Sequence, residues 1–181
     1  ESGHKGAEFD EHYPYLIQHA GVILNIGLAE HYQKFDRYRD AYSGNGPESP
    51  AIPSLVTRTF SAVTAACMLI RRDVFEKLDG FDDALAVAFQ DVDLCLRARS
   101  EGYTTVCSAE AVLFHHESVS RGIDDAPKRN ARLQSEIQVM QERWGAMLSQ
   151  DPAYSPNLSS DGGGFSLEEN PAKNMYFDTQ R

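Results

Sequence analysis

The 181-residue chain has only three cysteines and one tryptophan, and it is short of positive charge, with Lys+Arg 17 against Asp+Glu 27. Each shortage excludes something. A formal net charge of −10 and a pI near 5.0 exclude phosphate-backbone binding as a main role, since that affinity needs clustered Lys and Arg to release counterions. No nucleic-acid partner is expected. Cys67, Cys95 and Cys107 are odd in number, lack metal-ligand spacing and each falls in an apolar segment, so they read as buried thiols in a reducing compartment. No apolar run approaches the length of a membrane span. The start, Glu1-Ser-Gly-His-Lys-Gly6, has neither a charged-then-apolar signal pattern nor an initiator Met, and reads as cut from a longer chain. What is present is ordinary for a folded domain: 41% hydrophobic and 24% charged residues, in a length that can bury a core.

Strands interleaved with helices predict an α/β fold. Residues 1–14 are polar and read as a flexible segment, residues 15–150 as the folded portion, and 151–181 as a tail. Tyr15–Leu24 is β-branched and apolar at strand length. Between Asn25 and Arg39 the pattern is mixed. Tyr32, Phe35, Tyr38 and Tyr42, three or four apart, fit a short helix or an aromatic-lined loop, for core packing or for a sugar-facing surface. Ser43–Pro53, with three prolines and two glycines, is a loop. Ser61–Ile70 is small or apolar throughout and predicts a strand buried on both faces. Asp73-Val-Phe-Glu76 has capping-box spacing before a short helix that stops at Gly80, with Phe81 packing back on the last turn. Asp91–Glu101 repeats that grammar and closes at Gly102. Tyr103–Cys107 and Ala111–His115 read as short strands. Lys128–Leu148 is an amphipathic helix, with Leu133, Ile137, Met140, Trp144 and Met147 or Leu148 along one face. Beyond it, Asp151–Asn157 is turn-rich and Ser159–Gly164 linker-like, too poor in apolar surface to order without docking.

Two loci carry chemistry. Asp91 opens a helix, where orphan N–H groups and the positive dipole end favour the ionised carboxylate. Such a group serves either as a helix cap or as a general base toward a hydroxyl. Asp93 points away from it and fits an ion pair or cap. The second locus is His115-His116-Glu117 with Ser118, Ser120 and Arg121. Strand alternation sends the two imidazoles to opposite faces, and the cluster suits a metal, a diphosphate or plain structural hydrogen bonding.

The order Ile17-Gln-His-Ala-Gly21, Thr64-Ala-Ala-Cys-Met-Leu-Ile-Arg-Arg72, Gly80-Phe-Asp82, Asp91-Val-Asp-Leu-Cys-Leu-Arg97 and His115-His-Glu-Ser118 resembles the second half of family 2 glycosyltransferases with the GT-A fold. It is most similar to the rhamnosyltransferase-like branch of O-antigen and cell-wall-polysaccharide synthesis. The likeness runs over about residues 15 to 158 and includes Arg143-Trp144 and Asp151-Pro-Ala-Tyr-Ser-Pro-Asn-Leu158. It implies a partial GT-A fold, a mixed sheet flanked by helices with the N-terminal nucleotide-binding half absent. It also implies inverting transfer from a nucleotide-diphospho-sugar to a hydroxyl of a carbohydrate or lipid-linked acceptor. By that resemblance Asp91 is the catalytic base, preceded by Gln90 where the family often has Glu or Asn. Thr64, Asp82 and Asp93 fall on the acceptor side, His116 and Arg121 contact the diphosphate, and His115 binds the divalent ion, Mg2+ or Mn2+, with part of that site outside this chain. A cytoplasmic place at the inner face of the membrane, held peripherally through the acceptor, goes with it.

No Asp-x-Asp donor motif lies upstream of residue 91. The 181 residues alone are therefore expected to be inactive, and to self-associate through an unpaired sheet edge. Two rival readings differ in class: a non-catalytic carbohydrate-binding or interaction module stacking sugars on Tyr32, Phe35, Tyr38 and Tyr42, and a metal-dependent hydrolase built on His115, His116, Glu117 and the Asp pair.

Overall fold

The computed structural model describes residues 19–25, 28–31, 56–86, 88–113, 126–160 and 167. Helices and small antiparallel ladders mix, in keeping with the α/β expectation. Strand β1 (Val22–Ile23) pairs antiparallel with β2 (Glu30–His31). Strand β3 (Arg58–Phe60) pairs antiparallel with β4 (Thr105–Cys107), with Arg58 opposite Cys107 and Phe60 opposite Thr105. A bridge between Val22 and Ala62, whose amide-to-carbonyl bond is 3.0 Å, ties one ladder to the other.

Three helices complete the described architecture: α1 (Arg72–Lys77), α2 (Gln90–Ser100) and α3 (Ala126–Ser149). Val92, Asp93, Leu94, Cys95, Leu96 and Ala98 of α2 are all buried. A helix covered on nearly every side is a central one, and its burial rather than a narrow apolar stripe holds it in place. Its charges follow the helix dipole, with Asp91 and Asp93 in the first turn and Arg97 and Arg99 in the last. From α3, Met140 and Leu148 join Val22, Leu24, Ala62, Leu85, Val92, Cys95 and Leu96 in one core. A second core gathers Ala20, Ile23, Phe60 and Tyr154.

The helix ends come out largely as the sequence predicts. After α2, the Tyr103 amide bonds to the Ala98 carbonyl (3.0 Å) and the Gly102 amide to Arg99 (2.9 Å), with Gly102 at φ +85°. These are the two bonds of a Schellman closure. After α1 the same pair runs from Gly80 to Phe75 (3.0 Å) and from Asp79 to Glu76 (3.1 Å). Phe81 packs back on Phe75, edge to face, with ring centroids 5.7 Å apart.

Several expectations are corrected. Ser61–Ile70 is not a doubly buried strand: after Ser61 and Ala62 the chain leaves the core and makes an exposed 3-10 turn at Ala65–Cys67, and Leu69 is fully exposed. Cys67 on that turn is accordingly exposed, whereas Cys95 is buried and Cys107 half-buried. The capping box does not form. Arg71 is the N-cap of α1, without a side-chain cap bond, and Asp73 inside the first turn pairs with the Arg71 guanidinium instead. Ala111–Leu113 is exposed and pairs with no described strand, and in Tyr15–Leu24 the described strand is Val22–Ile23 alone. Leu133 of α3 is exposed. Within 151–158 the chain makes turns, with Pro152 and Ser155–Asn157 exposed, but Asp151 and Tyr154 are buried. The buried Asp151 carboxylate accepts from the Leu24 amide (2.8 Å), the Ala153 amide (2.7 Å) and the Ser61 hydroxyl, and Tyr154 fills the second core. Tyr32, Phe35, Tyr38, Tyr42 and the 43–53 loop lie outside the described residues.

Gly21 is where a glycine is required. Its φ is +112°, and a Cβ built on it would come within 2.6 Å of the Phe60 ring. Gly21→Ala combines a backbone penalty with a clash against a buried aromatic, so a loss of about 2–3 kcal/mol is expected by denaturant unfolding. A change below about 0.5 kcal/mol would contradict the close approach.

Candidate active site

Asp91 sits at the second position of α2, and the approach to it is held rigidly. Glu136, buried on α3, accepts the Ala88 amide on Oε2 at 2.7 Å. Phe89 then turns left-handed at φ +63°, ψ 2°, while packing against the core. A bulky L-residue adopts that conformation only when its surroundings over-determine it. Here Glu136 and the core packing do so, and they fix where the helix begins.

The half-buried Asp91 carboxylate is gripped at both oxygens, with Oδ1 accepting the Val92 amide (3.0 Å) and Oδ2 the Ala65 amide (2.8 Å). The second bond crosses from α2 to the exposed 3-10 turn. A carboxylate offers about four lone-pair sites, so these two bonds orient it and leave capacity for an incoming hydroxyl. Thr64 caps the turn, its Oγ1 accepting the Ala66 amide at 3.3 Å, and its own amide donates to His19 Nε2 at 3.3 Å. His19 meets His31 of β2 edge to face at 5.0 Å between centroids. The locus thus gathers Asp91, the Thr64–Ala65 amides, His19 and His31 from four separated segments.

Burial, reinforced by the neighbouring His31 and opposed by Asp91, brings the His19 imidazole down to about 4. The unfolded chain, at the ordinary value of 6.5, binds the proton more readily than the folded one. Stability from this group is therefore complete above pH 6.5 and is lost as pH falls toward 4. The loss is of order 2–3 kcal/mol across that window. Urea unfolding of the unaltered chain and of His19→Gln at both ends of the window checks it: the variant should lose distinctly less, and equal losses would contradict it.

Asp93 faces the other way and is wholly buried. Its Oδ2 accepts from Arg97 Nε (2.7 Å), and its Oδ1 from Trp144 Nε1 (2.9 Å) and Arg143 Nη1 (3.3 Å). With no exposed surface, its carboxylate holds α2 against α3. Arg97 also donates to the Leu78 carbonyl and, at 2.7 Å, to that of Gly80. Arg143 reaches Asp82 Oδ2 at 2.6 Å. The Ala84 amide and Arg143 hold the Asp82 carboxyl below the usual carboxylate range. One network thereby ties the end of α1, the Asp82 turn, α2 and α3 together.

His115, His116 and Arg121 lie outside the described residues, so the structure brings together Asp91 and Thr64 and places Asp82 in the Arg143 network. Among the described residues, no three His, Cys, Asp or Glu side chains are placed to hold a metal ion. No described helix is long and apolar enough to cross a membrane. Sequence reasoning missed His19, His31, Glu136 and Asp151. Glu136 left a readable trace, because it falls between Leu133 and Met140 on the apolar face of a helix where a carboxylate needs a buried partner.

The chain is similar to several curated proteins. It is 40% identical over 153 residues to an uncharacterized protein, y4gI, of Sinorhizobium fredii, a match covering 83% of this chain and 16% of that protein. It is 36% identical over 157 residues to the O-antigen biosynthesis protein RfbC of Myxococcus xanthus, covering 86% of this chain and 12% of that one. Over 90 residues it is 31% identical to an N-acetylglucosaminyl-diphospho-decaprenol L-rhamnosyltransferase of Mycobacterium tuberculosis, covering 48% of this chain and 29% of the relative. The chain therefore spans less than a third of the length of each of these relatives. No family model matches it, and no solved structure does.

Proposed function

We propose that this chain supplies the acceptor-side part of an inverting glycosyltransferase of family 2 with a GT-A fold, acting in bacterial polysaccharide or glycoconjugate synthesis. The acceptor hydroxyl oxygen bonds to the anomeric carbon of a nucleotide-diphospho-sugar, the bond from that carbon to the diphosphate breaks, and the hydroxyl proton passes to Asp91. The observation that carries this reading is the placement of Asp91: half-buried, oriented by two backbone amides and bordered by an exposed turn. A base poised in this way needs no second carboxylate at fixed separation, unlike a glycosidase pair. The names of the RfbC and rhamnosyltransferase relatives support the same chemistry.

Thr64 and Asp82 belong to the proposed acceptor side, and Asp93 is left out because it is wholly buried. His116 and Arg121 are proposed toward the diphosphate and His115 toward a divalent ion. Such an ion, Mg2+ or Mn2+, would supply positive charge to the departing diphosphate, and no step above runs through it. Donor recognition is proposed to lie outside these 181 residues, because no Asp-x-Asp precedes Asp91. The test pairs a nucleotide-activated L-rhamnose with a lipid-diphosphate-linked N-acetylglucosamine. The parent protein should release nucleoside diphosphate and form a new glycosidic bond, and the 181-residue chain should do neither. Turnover by the chain alone would overturn its proposed incompleteness, and a parent inert toward a full panel of nucleotide sugars would overturn the transferase reading.

A further inference from the structure

Successive amides of one turn point to two different side chains. The Thr64 amide donates to His19 Nε2 at 3.3 Å, and the Ala65 amide donates to Asp91 Oδ2 at 2.8 Å. Only the Thr64 Cα separates the two peptide planes. Its φ of −72° and ψ of 144° are braced by its own hydroxyl, which accepts the Ala66 amide. A change at His19 is therefore transmitted over a very short path to the carboxylate of Asp91.

The first of these bonds also defines the state of the imidazole. A ring nitrogen that accepts carries no proton, so the neutral ring is protonated on Nδ1. Nδ1 is buried and has no hydrogen-bond partner among the described residues. Protonation at Nε2 would set two donors, the ring N–H and the Thr64 N–H, against each other, and the turn would have to move. Among the described residues two titratable groups act on the ring: His31 from β2, edge-on at 5.0 Å, and Asp91 from α2. Burial and His31 outweigh Asp91, which keeps the ring neutral well below neutrality.

We propose that His19 is a positioning residue for Asp91, its neutral imidazole holding the Thr64–Ala65 turn in the one arrangement that aims the Asp91 carboxylate at the acceptor. The proposal rests on the reading of Asp91 as the base. It accounts for the cost of a buried imidazole with one unpartnered nitrogen, since an apolar side chain there would leave the Thr64 amide without an acceptor.

The test is heteronuclear NMR of the full 181-residue chain, taken from neutrality down through the His19 transition, together with two variants. In the unaltered chain the ring is expected as the Nδ1–H tautomer, and the Thr64 and Ala65 amide resonances should share the inflection of the His19 ring. His19→Gln offers a non-titrating oxygen to the Thr64 amide, so the inflection should vanish from both amides while their protection from exchange persists. His19→Phe offers no acceptor, and exchange at Ala65 should speed up about tenfold. In the parent protein His19→Gln should keep its turnover, and His19→Phe should lose kcat on the order of 100-fold with KM little changed. An Ala65 amide indifferent to the His19 titration overturns the proposal, and so does a His19→Phe variant with undiminished kcat. If Asp91→Asn left turnover intact, the base reading would fail instead, while the NMR coupling would stand or fall by itself.

Discussion

Asp93→Ala will destabilise the protein by about 3–5 kcal/mol, because it removes one partner from a buried charge network and leaves the others uncompensated. Arg97 Nε and Trp144 Nε1 lose their acceptor at once, and Arg143 keeps only Asp82. The effect spreads because Arg97 also holds the carbonyls of Leu78 and Gly80 at the end of α1. For a chain of this size that corresponds to a melting temperature lower by roughly 10 °C. Asp93→Asn, which keeps an oxygen for Trp144 but loses the charge, should fall between the two. Thermal and urea unfolding measure both variants, and a loss under about 1 kcal/mol for Asp93→Ala would mean that the network is not what holds α2 to α3.

Asp91→Asn is expected to do the opposite: little to stability and a great deal to transfer. Asparagine retains an oxygen for the Ala65 amide that Oδ2 now accepts at 2.8 Å, so the turn and the helix start should persist. What it lacks is proton affinity at the position proposed to react. General-base removal typically costs about 10²- to 10⁴-fold in rate. Asp91→Glu should fail as well, because an added methylene cannot satisfy both the Val92 and Ala65 amides from the same helix position. The contrast between Asp91 and Asp93, two residues apart on α2, is one of placement: one carboxylate at the edge, oriented by two backbone amides, and one wholly buried between α2 and α3.

That contrast was legible in the sequence, because helical spacing sends residues two apart in different directions and Asp93 has Arg97 four residues on. The closure of α2 was legible too, since Gly102 supplies the left-handed conformation there; in α1 that turn begins one residue earlier, at Asp79 (φ +59°), and continues through Gly80. The path of Ser61–Ile70 was not legible. Its apolar run fits a buried strand by composition, but the Ala65 amide is drawn to Asp91, 26 residues away, and the chain turns outward to meet it. Asp151 misled for the same reason. Asp-Pro followed by Ser-Pro reads as surface turns, while its partners Leu24 and Ser61 lie 127 and 90 residues distant. His19 and Glu136 likewise act across 45 and 48 residues. Local preferences show in a single sequence, whereas long-range hydrogen bonds between polar groups leave little periodic trace.

One measurement bears on the proposed base most directly: the single-turnover rate of sugar transfer by the parent protein carrying Asp91→Asn, taken beside its affinity for the nucleotide-sugar donor. The predicted result is a rate reduced about 10²- to 10⁴-fold with donor affinity essentially unchanged. A rate near that of the unaltered protein would show that the proton leaves the acceptor by another route and that Asp91 is only a helix-start residue.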